Sequence, residues 1–202
     1  VGGGTSDIAV FINGSIHHTA VIPIAGDQVT NDIAVAVRTP TQHAEGIKIR
    51  YGTALRQLAP DNQLIEVPGV GEREPRSLSA QALASVIEPR YEELFALVLQ
   101  ELRRSGYEER IGAGIVLTGG ACKMRGVREL AEEVFHMPVR IGMPRNVGGL
   151  RGEVENPIHS TGVGLLMYGM AQQAYGTRRS YNTDVEQDSL WERFKSFFMG
   201  SF

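Results

Sequence analysis

Apolar and polar positions alternate loosely from Asp7 to Ile12 and again from Ser15 to Ile22, with Asn13-Gly14 between the two runs. Two such runs joined by Asn-Gly are the strongest short-range signal for a β-hairpin. Gly26-Asp27 then opens a helical pattern reaching about Val37, Pro40 ends it, and Thr41 is placed to cap a second helix that runs to about Tyr51. Leu64 to Val67 reads as a short strand among turn residues. Leu83, Val86, Ile87, Leu94, Phe95, Val98 and Leu102 recur at three- and four-residue spacing, which predicts a long helix. Pro89 lies inside it and predicts a kink or break near Glu88, and Gly106 is placed to end it. Ile115 to Leu117 is a short apolar strand running into Thr118-Gly119-Gly120, followed by a helix from about Val127 to Phe135 and a strand from Val139 to Ile141. Asn156-Pro157 marks a turn before a small-residue-rich helix from Ser160 to about Gln173. Strand, glycine turn, helix, strand is the order of an α/β fold. Residues 175–188 lose all apolar period and read as a polar linker.

Composition narrows the function. The chain has 202 residues, 42% of them hydrophobic, and a net charge of -3. No long basic run is present, so a nucleic-acid partner is disfavoured, because phosphate-backbone binding needs a concentrated Lys/Arg surface. Cys122 is the single cysteine; it rules out an internal disulfide and fits a reducing cytosol. No run of roughly 18 apolar residues occurs, and the start lacks a basic and apolar leader. The sequence opens with Val1 directly on a glycine run, which reads as a piece of a longer chain with part of any active site outside it.

Two glycine turns carry the candidate chemistry. Gly2, Gly3 and Gly4 place three backbone N–H groups in series with no side chains to block an anion, and Thr5 adds a hydroxyl. The loop lacks the Gly-Lys-Ser/Thr of a Walker loop, so a plain glycine hairpin remains the alternative. Gly119, Gly120 and Ala121 end an apolar strand, where glycines let a ring or phosphate approach the backbone; a tight strand-to-helix turn is the alternative there. Facing one cleft, the two turns would form a nucleotide site.

The two turns, in this order and separation, resemble the second phosphate motif and the adenosine motif of the actin/heat-shock-70/sugar-kinase superfamily. Ala44-Glu45-Gly46-Ile47-Lys48 resembles the Ala-Glu-x-x-Lys helix of bacterial actins, and Glu45 and Lys48 share a helix face. Residues 26–34, 75–78, 86–91 and 160–165 narrow the resemblance to the bacterial cell-division FtsA family. The resemblance implies an actin-like (ribonuclease-H-like) α/β fold. Subdomain 2A would comprise residues 1–26 and 110–174, with subdomain 2B inserted at 27–109. It implies ATP and Mg2+ as cofactors, with Glu45 toward the ribose hydroxyls and Lys48 beside the nucleotide. It also implies a tether for FtsZ filaments at the cytoplasmic face of the inner membrane, an actin-like self-polymer, and recruitment of later division proteins. Arg90 and Glu93 become contacts for the FtsZ C-terminal tail, where an arginine would pair with an acidic peptide, and Arg76 matches a position of self-interaction. The family's leading Asp, which helps hold magnesium, and its first phosphate loop precede this chain, so the chain alone is expected to bind nucleotide poorly. Asp7 matches the acidic position that orients the attacking water in some bacterial actins. The family's weak hydrolysis makes ATP binding a firmer expectation than turnover.

The last residues, 189–202, read as an amphipathic helix. Leu190, Trp191, Phe194, Phe197 and Phe198 fall within an arc of roughly 120° on a helix. Arg193 and Lys195 flank it, where their stems snorkel and their charges meet anionic lipid. The segment is too short to span a bilayer and fits an in-plane anchor; a helix docked on protein is the alternative. His17 and His18 point to opposite strand faces and make no metal pair, and no zinc spacing or local Ser/His/Asp set occurs. Two other classes on the same fold stay open: a sugar or acetate kinase, and a pilus-assembly adaptor. The terminal helix argues against both.

Overall fold

A computed structural model describes residues 1–68, 74–145, 147, 148 and 151–173. Strands β1 (Ser6–Ile12) and β2 (Ser15–Ile22) form the expected antiparallel hairpin. Asn13 and Gly14 turn it with φ of 52° and 80°, the left-handed pair that matches strand twist. A bulge between Val10 and Phe11 leaves His17 without a direct partner. Val10 and Ile22 are buried, whereas Phe11, Ile16 and Val21 are exposed. His18 Nε2 lies 2.8 Å from Glu101 Oε1, which ties β2 to the long helix described below.

Helix α1 (Gly26–Ala36) begins where the Gln28 side chain reaches back to accept the Ala25 N–H at 2.9 Å. Helix α2 (Thr41–Tyr51) starts one residue differently from the sequence expectation. Pro40, not Thr41, occupies the cap, and its carbonyl accepts the N–H groups of His43 and Ala44 at 2.9 and 3.0 Å. Thr41 makes no capping bond because it already lies in the first helical turn. Strand β3 (Leu64–Val67) pairs antiparallel with β4 (Arg76–Ser79), an element the sequence pattern did not reveal.

Helix α3 (Ala80–Arg104) is capped by Ser79, whose hydroxyl accepts from Ala82 N at 3.1 Å. Of the kink or break expected near Glu88, the helix shows no break at Pro89. Proline there forfeits one backbone bond, and buried Ile87, Tyr91, Leu94 and Phe95 hold both sides of it in the core. Each large apolar side chain fully buried contributes about 1.5–3 kcal/mol, so this packing outweighs the lost bond. Gly106, at φ 73°, closes the helix as expected, and Tyr107 N–H returns to Leu102 O at 3.2 Å.

Strands β5 (Ile115–Leu117) and β6 (Val139–Ile141) are parallel, and helix α4 (Val127–Phe135) connects them as a βαβ unit. Leu117 is buried but Val116 is half exposed, so this apolar strand buries only part of its length. Phe95 of α3 packs between Tyr91 and Phe135, with ring centroids 6.0 and 5.4 Å apart, and stitches α3 to α4. A short helix α5 (Arg151–Val154) follows, and residues 160–173 are helical. Val1–Ser160 form one compact unit, and the described residues from Thr161 onward belong to a second. In the second, Leu165, Leu166, Tyr168 and Met170 are exposed. Among the described residues no helix is long and apolar enough to cross a membrane. The linker and the 189–202 segment, with its Leu190, Trp191, Arg193, Phe194, Lys195, Phe197 and Phe198, lie outside the described residues.

Candidate functional site

The start of the chain, the N-terminus of α1, the C-terminal half of α2 and the turn after β5 surround one cavity of about 770 Å³. That size suits a small organic ligand. Backbone bonds fix the first glycine turn against α1: Gly26 N–H donates to Gly2 O at 3.1 Å and Asp27 N–H to Gly3 O at 2.8 Å. The two glycine turns also touch. Gly119 has φ 101°, and a side chain there would strike the Val1 carbonyl, so only glycine fits. Gly2, Gly3, Glu45, Lys48, Gly120 and Ala121 line the cavity; Gly4, Thr5, Asp7 and Gly119 are not among its lining residues. Asp7 is exposed on β1 opposite Val21.

On the α1–α2 side, three side chains form a tight polar knot. Lys48 Nζ donates to Gly26 O at 3.0 Å, to Thr30 Oγ1 at 2.7 Å and to Glu45 Oε2 at 2.6 Å. Thr30 also bonds Glu45 Oε2. Thr30 is buried and the Lys48 side chain nearly so. Burial pushes the Glu45 carboxyl up, but hydrogen bonds from Lys48 and Thr30 and the lysine charge outweigh it and hold it below the ordinary glutamate value.

Charge around the cavity favours an anion. Lys48, Arg50, Lys123 and Arg125 line it against Asp27 and Glu45, four cations less two acids, or +2. Asp27 runs against the trend at the first glycine turn: its carboxylate oxygens come within 3.1 and 3.2 Å of where a side chain on Gly3 would begin. A phosphate laid on the Gly2–Gly3 backbone would therefore meet a carboxylate, an arrangement that suits a bridging divalent cation. No group of three or more metal-ligating side chains occurs among the described residues, so such a cation would draw most ligands from phosphate and water. Tyr91 reaches the cavity from α3 and donates its hydroxyl to Ala121 O at 2.8 Å, fixing the second turn.

A separate small pocket lies at Asp32, Val86, Pro89, Arg90 and Glu93. Arg90 is held there by two bonds to Asp32, at 2.5 and 2.9 Å, and one to Glu93 at 2.6 Å. Its guanidinium is thus engaged by two carboxylates rather than free in solvent. Arg76 is exposed on β4.

The model of the cell division protein FtsA family matches residues 1–164. The chain belongs to the FtsA family. It is 62% identical to the cell division protein FtsA of Pseudomonas aeruginosa over 207 residues, covering 100% of this chain and 50% of that protein. The chain thus spans about half the length of the FtsA proteins it matches. Its fold is that of one half of the actin-like proteins. MreB5 of Spiroplasma citri bound to AMPPNP superposes with a TM-score of 0.61 at 19% identity, over 87% of this chain and 53% of that one. The PilM–PilN type IV pilus biogenesis complex gives 0.62 at 16%, over 84% of this chain and 44% of that one.

Sequence reasoning missed several residues of the FtsA-family cavity. Asp27 directly follows the glycine that opens α1, and Lys123 and Arg125 follow the second turn, so proximity to a motif was their available signal. Thr30 and Tyr91 had none, because each acts through a partner distant in sequence.

Proposed function

We propose that this chain is the nucleotide-binding half of an ATP-binding, actin-like division protein that tethers FtsZ filaments to the inner membrane and helps assemble the septum. The carrying observation is the cavity where both glycine turns, Glu45 and Lys48 meet. Gly3, Gly120 and Ala121 would hold phosphate and base through backbone groups, with Gly2 shaping the turn through its N–H bond to Thr5 O at 2.9 Å, and Glu45 and Lys48 would take the ribose end. Bound ATP with Mg2+ would supply the polyanion that the +2 lining attracts, and Asp27 would help hold the cation. In this reading residues 27–109 form an inserted subdomain 2B, and 1–26 with 110–174 form subdomain 2A. Nucleotide controls self-assembly more than it feeds catalysis, and any hydrolysis is weak, since Asp7, the candidate to orient water, is not among the residues that line the cavity.

The 189–202 segment would anchor the protein on anionic lipid at the cytoplasmic face of the inner membrane. One short amphipathic helix binds reversibly, and polymerisation multiplies its avidity. Arg90 and Glu93 would receive the FtsZ tail, and later division proteins would follow to the assembled polymer. The test uses the full-length protein. ATP-analogue titration should give measurable binding that Lys48→Ala weakens several-fold, the scale of one net hydrogen bond. Anionic vesicles should pellet the intact protein but not one truncated before residue 190. Unchanged binding by Lys48→Ala removes the nucleotide assignment, and equal pelleting removes the anchor.

A further inference from the structure

Resting on the nucleotide assignment of that cavity, we infer that Thr30 is the positioning residue that sets selectivity for the sugar hydroxyls. Thr30 sits one turn into α1, directly above Gly26, and its side chain is buried beneath the cavity wall. Its hydroxyl has one proton and two candidate acceptors, Gly26 O at 3.1 Å and the nearer, charged Glu45 Oε2. The proton goes to the carboxylate, since a charged acceptor at shorter range makes the stronger bond. Lys48, 2.7 Å away, donates to the same hydroxyl oxygen, so Thr30 both accepts from the lysine and donates to the glutamate.

The consequence falls on Glu45. Its Oε2 is fixed by Thr30 and Lys48, while its Oε1 accepts no hydrogen bond among the described residues. The Glu45 side chain is 43% exposed at a wall of the cavity, so an acceptor oxygen is presented there on a carboxylate that cannot rotate freely. A vicinal diol is the ligand chemistry that matches: its hydroxyls donate to a fixed, ionised acceptor. Without the Thr30 hydroxyl, Glu45 has one anchor in place of two and a long flexible stem, and Lys48 loses one of its three acceptors. The carboxylate then samples several rotamers and its discrimination between sugars fades, while the phosphate contacts of the glycine turns persist.

The test compares binding of ATP and 2′,3′-dideoxy-ATP by the full-length protein, read as a ratio of dissociation constants. The unaltered protein should prefer ATP by about tenfold or more, the effect of a hydrogen bond to a charged group. Thr30→Val should bring the ratio to within about twofold, and Thr30→Ser, which keeps the hydroxyl, should restore it. Thr30→Ala replaces the valine variant if that one does not fold, because it adds no bulk. A purely structural role would weaken both nucleotides equally and leave the ratio intact in the Val and Ala variants, which would overturn the inference. Failure of the unaltered protein to bind either nucleotide would overturn the nucleotide assignment itself, and the inference with it.

Discussion

Tyr91→Phe isolates one bond between two parts of the site. The Tyr91 ring is 2% exposed and packs against Phe95, so phenylalanine keeps the buried carbon and the ring contact. Only the hydroxyl that donates to Ala121 O at 2.8 Å is removed. A neutral hydrogen bond contributes about 1 kcal/mol net. Ala121 lines the cavity, so water can reach the carbonyl once the hydroxyl is gone, and the larger penalty of a sealed, unpaired acceptor does not apply. The expected loss is therefore about 1 kcal/mol, or roughly a fivefold change in the folding constant.

Urea unfolding at fixed pH checks this, with an unchanged slope expected because the buried surface is the same. Tyr91→Ala gives the scale: deleting an aromatic ring from a core costs roughly 3–5 kcal/mol. Nucleotide affinity of the full-length Tyr91→Phe protein should fall a few-fold, because the second glycine turn loses its tie to α3. A Tyr91→Phe variant as unstable as Tyr91→Ala would mean that ring placement, not the bond, depends on the hydroxyl. A variant unchanged in both stability and affinity would mean that the bond holds nothing.

Arg90→Glu should weaken binding of an FtsZ tail peptide, whereas Asp32→Asn should strengthen it by removing a carboxylate that competes for the same guanidinium; isothermal titration separates the two, and an unchanged Arg90→Glu affinity excludes the site. The same Asp32→Asn protein should lose about 1 kcal/mol of stability in urea, the scale of a two-bond arginine pair that is partly exposed. Glu45 gives a pH signature. Its folded-state pKa lies below the ordinary glutamate value of 4.5, so its contribution is complete above 4.5 and is lost as the pH falls through the lower, folded value. Urea midpoints measured between about pH 6 and about pH 3 should therefore fall less steeply in Glu45→Gln than in the unaltered protein, and parallel curves would refute the assignment. Burial pushes the Cys122 thiol up to about 11, so it should resist alkylation near pH 7 until the protein is unfolded.

Local signals carried most of the fold. Asn13-Gly14 fixed the hairpin, and the three- and four-residue apolar spacing located α3, because both depend on residues adjacent in sequence. The failures share one cause. Pro89 has the local chemistry of a helix breaker, but buried neighbours on both sides of it overrode that preference. Strand β4 is only four residues and shows itself through pairing with β3, not through pattern. In the cavity, Gly2, Gly3, Gly120, Glu45 and Lys48 were legible because each falls in a local motif, whereas Gly4 and Gly119 fall in the same motifs and are not among its lining residues. The Tyr91–Ala121 bond spans 30 residues and the Arg90–Asp32 pair spans 58, and no local periodicity encodes either.

The polar knot also constrains how the proposed nucleotide site can work. All three Lys48 protons are taken, by Gly26 O, Thr30 Oγ1 and Glu45 Oε2. A phosphate or hydroxyl that engages Lys48 must displace one of these acceptors, so the gain is a difference between two bonds rather than a whole one. Gly26 is the residue where that exchange is felt, since its carbonyl accepts from Lys48 and its N–H holds Gly2 O. Movement at the sugar end therefore reaches the first glycine turn through a single residue. A site built this way converts part of its binding free energy into rearrangement of α1 and the glycine turn instead of into affinity. That trade suits a nucleotide that regulates assembly better than one held as a permanent structural cofactor.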